Sequence, residues 1–388
     1  MPIINRVADL HEEIKAWRQD IHAHPELLFD VHRTAGLVAE RLKSFGCDEV
    51  VSGIGRTGVV GVIHGKTGAG HRTIGLRADM DALPIEEMTG LPYKSSHPGK
   101  MHACGHDGHT AMLLGAAKYL AETRNFSGTA VVIFQPAEEG GGGGREMVKD
   151  GMMDRFGIEE VYGMHNYPGF PVGDFAIRPG PMMAAADRIY VDIEGVGGHA
   201  ARPHFTVDTV LVGAQIINQL QSIVARNVDP LESAVVTITQ FHAGTADNII
   251  PQTAHLRGTA RSLTPQVRDL LEKRLYEVVE GTAKLYGASA TVTYKRDYPV
   301  TRNHERQTAF AASVAAEVVG RERVDTDVPP VMGAEDFSYM LEARPGAFIF
   351  IGNGDSAGLH HPEYNFNDET IPVGMSYWVK LVETALRG

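Results

Sequence analysis

The chain has 388 residues, of which 43% are hydrophobic, and a formal net charge of −12. This length exceeds what one hydrophobic core usually organises, so the composition predicts a globular protein with two domains. The acidic balance and scattered basic residues argue against a nucleic-acid partner, and no stretch approaches the roughly 18 apolar residues of a membrane-spanning helix.

The N-terminal segment and the cysteine content both predict a cytoplasmic protein. The first 27 residues are charged and helix-like, without the apolar centre of a secretory signal. The only two cysteines of the sequence, Cys47 and Cys104, offer no disulfide framework and suit a reducing compartment.

Two different sequence patterns then divide the chain. Up to residue 184, and again from residue 298, helical patterns alternate with short apolar runs that are typical of buried strands in an α/β sheet. These runs are RTIGLRA (72–78), TAVVIF (129–134), VYGMH (161–165) and AFIFIG (347–352). Residues 185–297 instead follow the order β-α-β-β-α-β, which predicts an inserted ferredoxin-like domain with a bare outer strand where a partner chain could add.

A dense group of metal-binding residue types occupies positions 101–109, which read MHACGHDGH. Thiol, imidazole and carboxylate groups are the ligands of zinc and similar divalent ions. Cys104 and His106 can face one ion if Gly105 allows the backbone to turn sharply. The alternative is a histidine-rich surface loop, but ligand-type residues recur at further points of the sequence.

Those further candidates all follow apolar runs. They are Asp79 and Asp81, Glu138 and Glu139, His165, and His360 with His361. Because ligands of open α/β sheets bind beyond the carboxyl ends of the strands, we expect these side chains to converge with Cys104 and His106. Taken singly, the two aspartates would also suit turns or helix caps, His165 would suit a buried core, and one of the last two histidines would face solvent.

The adjacent acids Glu138 and Glu139 indicate hydrolysis. Successive residues in a turning segment point in different directions, so one can bind metal while the other acts as a general base toward water. The glycines at 140–144 resemble a phosphate-binding loop, but no Gly-Lys-Ser/Thr follows and the preceding acids would repel phosphate. We interpret this run as a mobile wall of the active site.

Eight segments carry a resemblance to a known family. They are RADMDALP (77–84), MHACGHDGHTAMLLGAA (101–117), FQPAEEGGGG (134–143), GMHN (163–166), GVGGHAARPH (195–204), TADNIIP (245–251), GTAR (258–261) and LHHPEYNF (359–366). In order and over nearly the whole chain, they resemble the hippurate hydrolase and auxin-conjugate amidohydrolase branch of the aminoacylase-like dinuclear metallopeptidases. The resemblance implies a mixed-sheet catalytic domain of residues 1–184 and 298–388, with 185–297 as a dimerisation or lid domain.

The resemblance also implies two divalent metal ions per subunit. The implied ligands are Cys104 as the bridge, His106 and His165 at one ion, and Glu139 and His360 at the other. The family pattern Leu-His-x-Pro selects His360 rather than His361. Arg77 stands where distant relatives have a metal-binding histidine, and His106 substitutes for it. The mixed ligand set favours manganese or zinc, with cobalt and nickel as alternatives.

Further roles follow from the same resemblance. Glu138 is the expected general base, and Asp79 is the expected acid that orients a ligand or the base. His199 would reach the active site of a second subunit and polarise the scissile carbonyl, so we expect a homodimer or a dimer-based oligomer. Asn248 and Arg261 would contact substrate, Arg261 as a fork on a free carboxylate, although Arg261 also suits a surface strand.

The predicted function is hydrolysis of N-acyl-L-amino acids, such as hippurate-like, acetyl or indole-acetyl conjugates, to a carboxylic acid and a free amino acid. A metal-bridging hydroxide would attack the amide while Glu138 accepts the proton. One alternative is a metal-dependent dipeptidase of the same clan. Two others are a cysteine hydrolase with Cys104 as the nucleophile and a non-catalytic binding protein on the same fold.

Overall fold

The computed structural model describes residues 4–66 and 72–387. Its α-helices are α1 (Asn5–Ala23), α2 (His32–Ser44), α3 (His106–Thr123), α4 (Gly143–Lys149), α5 (Met152–Arg155), α6 (Thr209–Asn227), α7 (Pro265–Leu285), α8 (Glu305–Val319), α9 (Ser338–Ala343) and α10 (Ile371–Ala385). Its strands are β1 (Glu49–Ile54), β2 (Gly58–His64), β3 (Thr73–Asp79), β4 (Thr129–Gln135), β5 (Glu160–Tyr167), β6 (Phe175–Ala176), β7 (Gly180–Met183), β8 (Ala185–Glu194), β9 (Gly198–His199), β10 (Ala234–Ala243), β11 (Ile249–Ile250), β12 (Thr253–Ser262), β13 (Ser289–Arg296), β14 (Thr301–Asn303), β15 (Val324–Asp325) and β16 (Gly346–Gly352).

The chain divides into two compact units. The first contains the described residues up to Met182, then Arg302–Pro329, and the chain from Asp336 onward. The second contains Met183–Thr301 and Pro330–Glu335. No helix among the described residues is both long and apolar enough to cross a membrane.

An eight-stranded mixed sheet forms the centre of the first unit. Its strand order is β1-β2-β4-β3-β5-β16-β6-β15. Strands β4, β3, β5 and β16 run parallel to their neighbours within this central group, whereas β2 is antiparallel to both β1 and β4. The sheet confirms the predicted α/β class with a mixed sheet.

Helices cover the central strands and leave them almost no exposed surface. Every residue of β4 and β16 is buried, as expected for parallel strands that are packed on both faces. Helix α3 packs between α1 and α10 and contacts β3. Leu113 of α3, Val132 of β4 and Trp378 of α10 belong to one continuous hydrophobic core. This core holds the carboxyl ends of β3, β4, β5 and β16 at one edge of the sheet.

The second unit is a smaller α/β sandwich. Its antiparallel sheet has the order β10-β12-β8-β13, with α6 and α7 packed against it. The chain order β8-α6-β10-β12-α7-β13 confirms the predicted βαββαβ arrangement. Strand β8 alternates between buried and more accessible residues, because only one face of the sheet is covered by helices. Asp208 caps α6 by accepting hydrogen bonds from the backbone N–H groups of Val210 and Leu211.

Candidate metal centre

The candidate ligands of the first unit meet at the carboxyl edge of its sheet. Strand β3 ends at Asp79, Glu138 and Glu139 follow β4 closely, His165 lies near the end of β5, and His360 follows β16. His106 is the first residue of α3, and Cys104 lies two positions before it. Parallel strands bring residues that are distant in sequence to one edge, which is where ligands of open α/β sheets bind.

A sharp turn at Gly105 separates the first two ligands. Its φ of +84° lies in the left-handed region that favours glycine. A Cβ atom at this position would lie 2.3 Å from Nδ2 of Asn166 and 2.5 Å from the hydroxyl oxygen of Tyr364. The turn that we expected between Cys104 and His106 is present, and a side chain at residue 105 would not fit.

The five predicted ligands lie close together. Ligand atoms of Cys104, His106 and Glu139 are within 4.8 Å of one another. The sulfur of Cys104 is 3.4 Å from Nε2 of His165, and Nε2 of His360 is 3.4 Å from Oε1 of Glu139. These contacts connect the five residues into one cluster.

The two buried imidazoles are oriented by backbone carbonyl groups. Nδ1 of His106 donates to the carbonyl oxygen of Asp81 at 2.8 Å, and Nδ1 of His165 donates to that of Asn166 at 2.7 Å. A carbonyl oxygen can only accept, so Nδ1 carries the proton and Nε2 is the nitrogen available to a metal.

Two buried atoms of the cluster that make no hydrogen bond also fit a cation. Among the described residues, Nε2 of His106 and Oε1 of Glu139 are buried and have no hydrogen-bond partner. Burying such groups without a partner is unfavourable, and a metal ion would satisfy both.

The electrostatics of the cluster also favour a bound cation. Burial raises the pKa of the Cys104 thiol, and the carboxylates of Glu139, Glu138 and Asp79 raise it further. Burial lowers the pKa of His106, but the surrounding acids, Asp79 foremost, outweigh it and raise the pKa to about 10. Both shifts favour the protonated groups and reflect the excess of negative charge in the site. Metal binding uses the thiolate and the neutral imidazole, and a bound cation would offset that negative charge.

Asp79 is held by two neighbours rather than open to the cluster. Its Oδ2 accepts from Arg77 at 2.7 Å, and its Oδ1 accepts from Nδ1 of His109 at 2.6 Å. Burial raises the pKa of Asp79, but Arg77 and then His106 and His109 bring it well below its usual range. Asp79 is thus an ionised carboxylate, 3.6 Å from Nε2 of His106.

His109 is a residue of this site that the sequence reasoning did not assign. Its ligand atom groups with those of Asp79, His106 and His165, but both of its ring nitrogens are engaged. Nδ1 bonds Asp79, and Nε2 accepts from the backbone N–H of Asn166 at 2.9 Å. The spacing of three residues from His106 on one helix, which places both rings on one face, is the signal that could have found it.

Two more residues were not assigned, although both connect ligand-bearing segments. The carboxylate of Asp81 accepts from the backbone N–H groups of Glu138 and Glu139. The amide nitrogen of Asn166 donates to the carbonyl oxygen of Cys104 at 2.7 Å. The position of Asp81 after a predicted strand made it a candidate site residue. Its hydrogen bonds to backbone N–H groups, however, cannot be predicted from the sequence.

The remaining predicted site residues lie in the second unit. His199 is exposed and pairs with Ile249 between β9 and β11, and the backbone N–H of Ala200 donates to the carbonyl oxygen of Asn248 at 3.0 Å. Arg261 lies in β12 and donates to the carbonyl oxygen of Ala260 at 3.0 Å. His199 and Asn248 are therefore neighbours, and the roles predicted for all three remain predictions.

A mixed α/β sheet with thiol, imidazole and carboxylate groups at its carboxyl edge offers the donor set of a metal-dependent hydrolase. Comparison with known proteins identifies the family. The model of peptidase family M20/M25/M40 matches residues 75–384, and the chain belongs to this family. The resemblance that the sequence motifs indicated is confirmed.

Relatives that match nearly the whole chain are named as hydrolases or as a deacetylase. The hippurate hydrolase of Campylobacter jejuni is 43% identical and covers 98% of both chains. The N-acetyl-L-cysteine deacetylase of Bacillus subtilis is 39% identical, covering 98% of this chain and 89% of its own. The IAA-amino acid hydrolase ILR1-like 5 of Arabidopsis thaliana is 40% identical, covering 94% and 84%.

A solved structure agrees with the sequence relatives. The YXEP protein of Bacillus subtilis, a dinuclear metal binding peptidase from the M20 family, superposes with a TM-score of 0.85. It is 33% identical and covers 98% of this chain and 99% of its own. The sequence relatives and the solved structure support the predicted fold class and the predicted hydrolase function.

Proposed function

We propose that this protein is a metal-dependent amidohydrolase that cleaves N-acyl-L-amino acids to a carboxylic acid and a free amino acid. The observation that carries the proposal is the convergence of a thiol, three imidazoles and the Glu139 carboxylate at one edge of the sheet. The adjacent Glu138 is close enough to raise the pKa of the Cys104 thiol. Relatives named for hippurate, N-acetylcysteine and IAA-amino acid conjugates support this substrate class.

The proposed cofactors are two divalent metal ions per subunit. Cys104 would contact both ions, His106 and His165 would complete one site, and Glu139 and His360 would complete the other. The mixture of sulfur, nitrogen and oxygen ligands favours manganese or zinc. When bound, the ions would supply Lewis acidity, which acidifies water and polarises an amide carbonyl.

Glu138 is the proposed general base. Its side chain is buried, with the residue 6% exposed, and it follows β4 beside the ligand Glu139. In this position its carboxylate would accept a proton from the attacking water and deliver it to the nitrogen of the leaving amine. Asp79, ionised and bonded to His109, would fix the surroundings of His106.

The second unit would complete the site through a second copy of the chain. We assign His199 to the active site of the partner subunit, where it would polarise the scissile carbonyl of the substrate. Asn248 would contact the substrate, and Arg261 would bind the substrate carboxylate. Two features support a homodimer: the outer strand β10 is largely exposed along its second half, and Phe241 and Ile249 expose 37% and 55% of their surfaces. Uncovered strand edges with apolar side chains are typical places for another chain to bind.

A cytoplasmic location is proposed on the basis of cysteine chemistry. Cys47 and Cys104 are both free thiols. A site that depends on the Cys104 sulfur as a metal ligand would be preserved in a reducing compartment and lost on oxidation.

The first experiment is metal removal and replacement. Purified protein is treated with chelator and assayed with benzoyl-glycine and acetyl amino acids before and after addition of manganese or zinc. We expect activity to vanish and return with metal. Activity that survives chelation would instead indicate Cys104 as a nucleophile, and hydrolysis of Leu-Gly without hydrolysis of acyl amino acids would indicate a dipeptidase.

A further inference from the structure

We infer that Asp81 is a positioning residue of the reaction, which holds the general base and two metal ligands in place through one carboxylate and one carbonyl group. This inference builds on the proposed function, since it assigns a purpose to the positions of Glu138, Glu139 and His106. Asp81 itself would touch neither substrate nor metal.

The carboxylate of Asp81 grips two successive backbone amides. The residue is 1% exposed and lies two positions beyond the end of β3. Its Oδ1 accepts from the N–H of Glu138 at 2.8 Å, and its Oδ2 accepts from the N–H of Glu139 at 3.1 Å. Each oxygen thus fixes one of the two catalytic-site glutamates.

The segment that carries these glutamates needs such support. Glu138 and Glu139 belong to no helix or strand, so neither amide has a partner in a regular ladder. The preceding residue, Ala137, has a φ of +53°, a left-handed conformation that costs a residue other than glycine free energy, and Gly140 follows with a φ of +95°. A strained turn persists only when its surroundings hold it. The Asp81 carboxylate contributes to this, beside the hydrogen bond from the backbone N–H of Ala137 to the carbonyl oxygen of Leu28 at 3.1 Å.

The backbone of Asp81 acts on a third group. Its carbonyl oxygen accepts from Nδ1 of His106 at 2.8 Å, which leaves Nε2 of His106 3.9 Å from Oε1 of Glu139. One residue therefore connects a candidate ligand of one ion, a candidate ligand of the other, and the general base. A side-chain substitution leaves this carbonyl bond to His106 in place, although it also removes the Asp81 Oδ1 atom that lies 3.7 Å from Nδ1 of His106.

The test uses Asp81→Asn and Asp81→Ala in the full chain. In D81N the amide oxygen can accept from one backbone N–H, but the NH2 group then faces the other donor, so one of the two bonds is lost. In D81A both bonds are lost. We expect kcat to fall roughly 10-fold to 100-fold in D81N and further in D81A, while KM changes less, because the general base moves and the substrate contacts do not.

A second readout does not depend on turnover. Each variant is stripped of metal and titrated with Co²⁺, whose absorption bands report the geometry around the Cys104 thiolate and the neighbouring ligands. We expect altered band positions or intensities and weaker binding in both Asp81 variants, because Glu139 is no longer held. A role confined to stability would lower the melting temperature and leave the cobalt spectrum unchanged.

Glu26→Gln is the matched control. The Glu26 carboxylate also grips two successive amides, those of Arg33 and Thr34 at 3.0 and 2.9 Å, at the beginning of α2. We expect E26Q to lower stability with kcat and the cobalt spectrum as in the parent protein.

The inference would be overturned if D81N had the kcat and the cobalt spectrum of the parent protein. It would also be overturned if the losses in D81N only followed its loss of stability, as in E26Q. Failure of the proposed function is a different result, in which the parent protein itself hydrolyses no acyl amino acid. The cobalt titration would then still decide whether Asp81 positions the ligands.

Discussion

At the scale of single residues, the proposed chemistry depends on the position of the Glu138 carboxylate. The residue is buried at the sheet edge, and its neighbour Glu139 lies 3.4 Å from His360. Adjacent glutamates with different surroundings can serve different roles, one as a ligand and one as a base. The two roles predict different consequences when one carboxylate becomes an amide.

Glu138→Gln should retain two metal ions per subunit and lose roughly three or more decades of kcat, because a neutral amide cannot accept the proton of water. The measurements are kcat with benzoyl-glycine and metal content by mass spectrometry. The control is Glu146→Gln, which makes the same change at a partly exposed pair with Arg145 and should leave kcat nearly unchanged. Near-normal turnover of E138Q would remove Glu138 from the mechanism.

At the scale of elements, α1 is joined to the beginning of α3 by buried charges. His22 of α1 is completely buried, and its Nδ1 is 2.8 Å from Oδ2 of Asp107, the residue after His106. Its Nε2 is 3.3 Å from Oε1 of Glu87, and Arg18 lies 3.4 Å from the same Asp107 oxygen. Burial lowers the pKa of His22, but Asp107 and Glu87 outweigh it and raise the pKa to about 9.

This raised pKa predicts how stability depends on pH. The folded value of about 9 lies above the ordinary value of 6.5, so the protonated form stabilises the fold. The stabilisation is fully present below pH 6.5 and is lost as pH rises through about 9. At about 1.4 kcal/mol per pKa unit, it amounts to up to about 3 kcal/mol.

Urea unfolding of metal-stripped protein measures this effect. The difference in free energy of unfolding between the parent and His22→Gln should shrink by up to about 3 kcal/mol between pH 6.5 and pH 9. His64→Gln is the control, because it removes an imidazole whose Nδ1 is bonded to the hydroxyl of Thr129 rather than to a carboxylate. A difference that stays constant with pH would contradict a charged His22.

A second prediction at this scale concerns two helical glycines, one tightly packed and one with open space beside it. A Cβ atom at Gly108 of α3 would lie 2.3 Å from the ring of Phe366, whereas one at Gly281 of α7 would have nothing within 4 Å. Gly108→Ala should destabilise by about 1–3 kcal/mol through overpacking. Gly281→Ala should stabilise by up to about 1 kcal/mol through helix propensity. Equal effects in thermal unfolding would contradict the packing described for α3.

At the scale of the whole molecule, the proposed homodimer would distribute one active site over two chains. His199 belongs to the second unit and Glu138 to the first. If His199 acts in the partner's site, a heterodimer of His199→Ala and Glu138→Gln chains has one site with both defects and one with neither.

Co-expression of the two variants tests this arrangement. Random pairing should restore about one quarter of parental activity, since half of the dimers are heterodimers with one intact site each. The control pairs Glu138→Gln with Cys104→Ser, two defects of the same unit, which should not complement. Tagged heterodimers that form and remain inactive would show that His199 does not act across the dimer.

Much of this architecture was predictable from local sequence. Apolar runs that end in acids or histidines, such as those before Asp79, Glu138 and His165, identify both the strands and their functional edge, because parallel sheets place such residues together. The alternating pattern of 185–297 likewise predicts a sheet with one covered face. Cys104 and His106 could be predicted as candidate metal ligands because thiol and imidazole groups bind metal ions. The family could be predicted because its motifs occur in the same order along the chain.

Tertiary packing decided which atoms of these residues can act. His109 stands among the candidate ligands, but Asn166 of β5, 57 positions away, occupies its second nitrogen. In the sequence, Asp81 is an ordinary acid after a strand. Only the tertiary structure shows that its carboxylate accepts from the backbone N–H groups of Glu138 and Glu139. Hydrogen bonds between distant segments arise only when helices and strands have packed, so local patterns predict which residues gather at the site but not which partner each one holds.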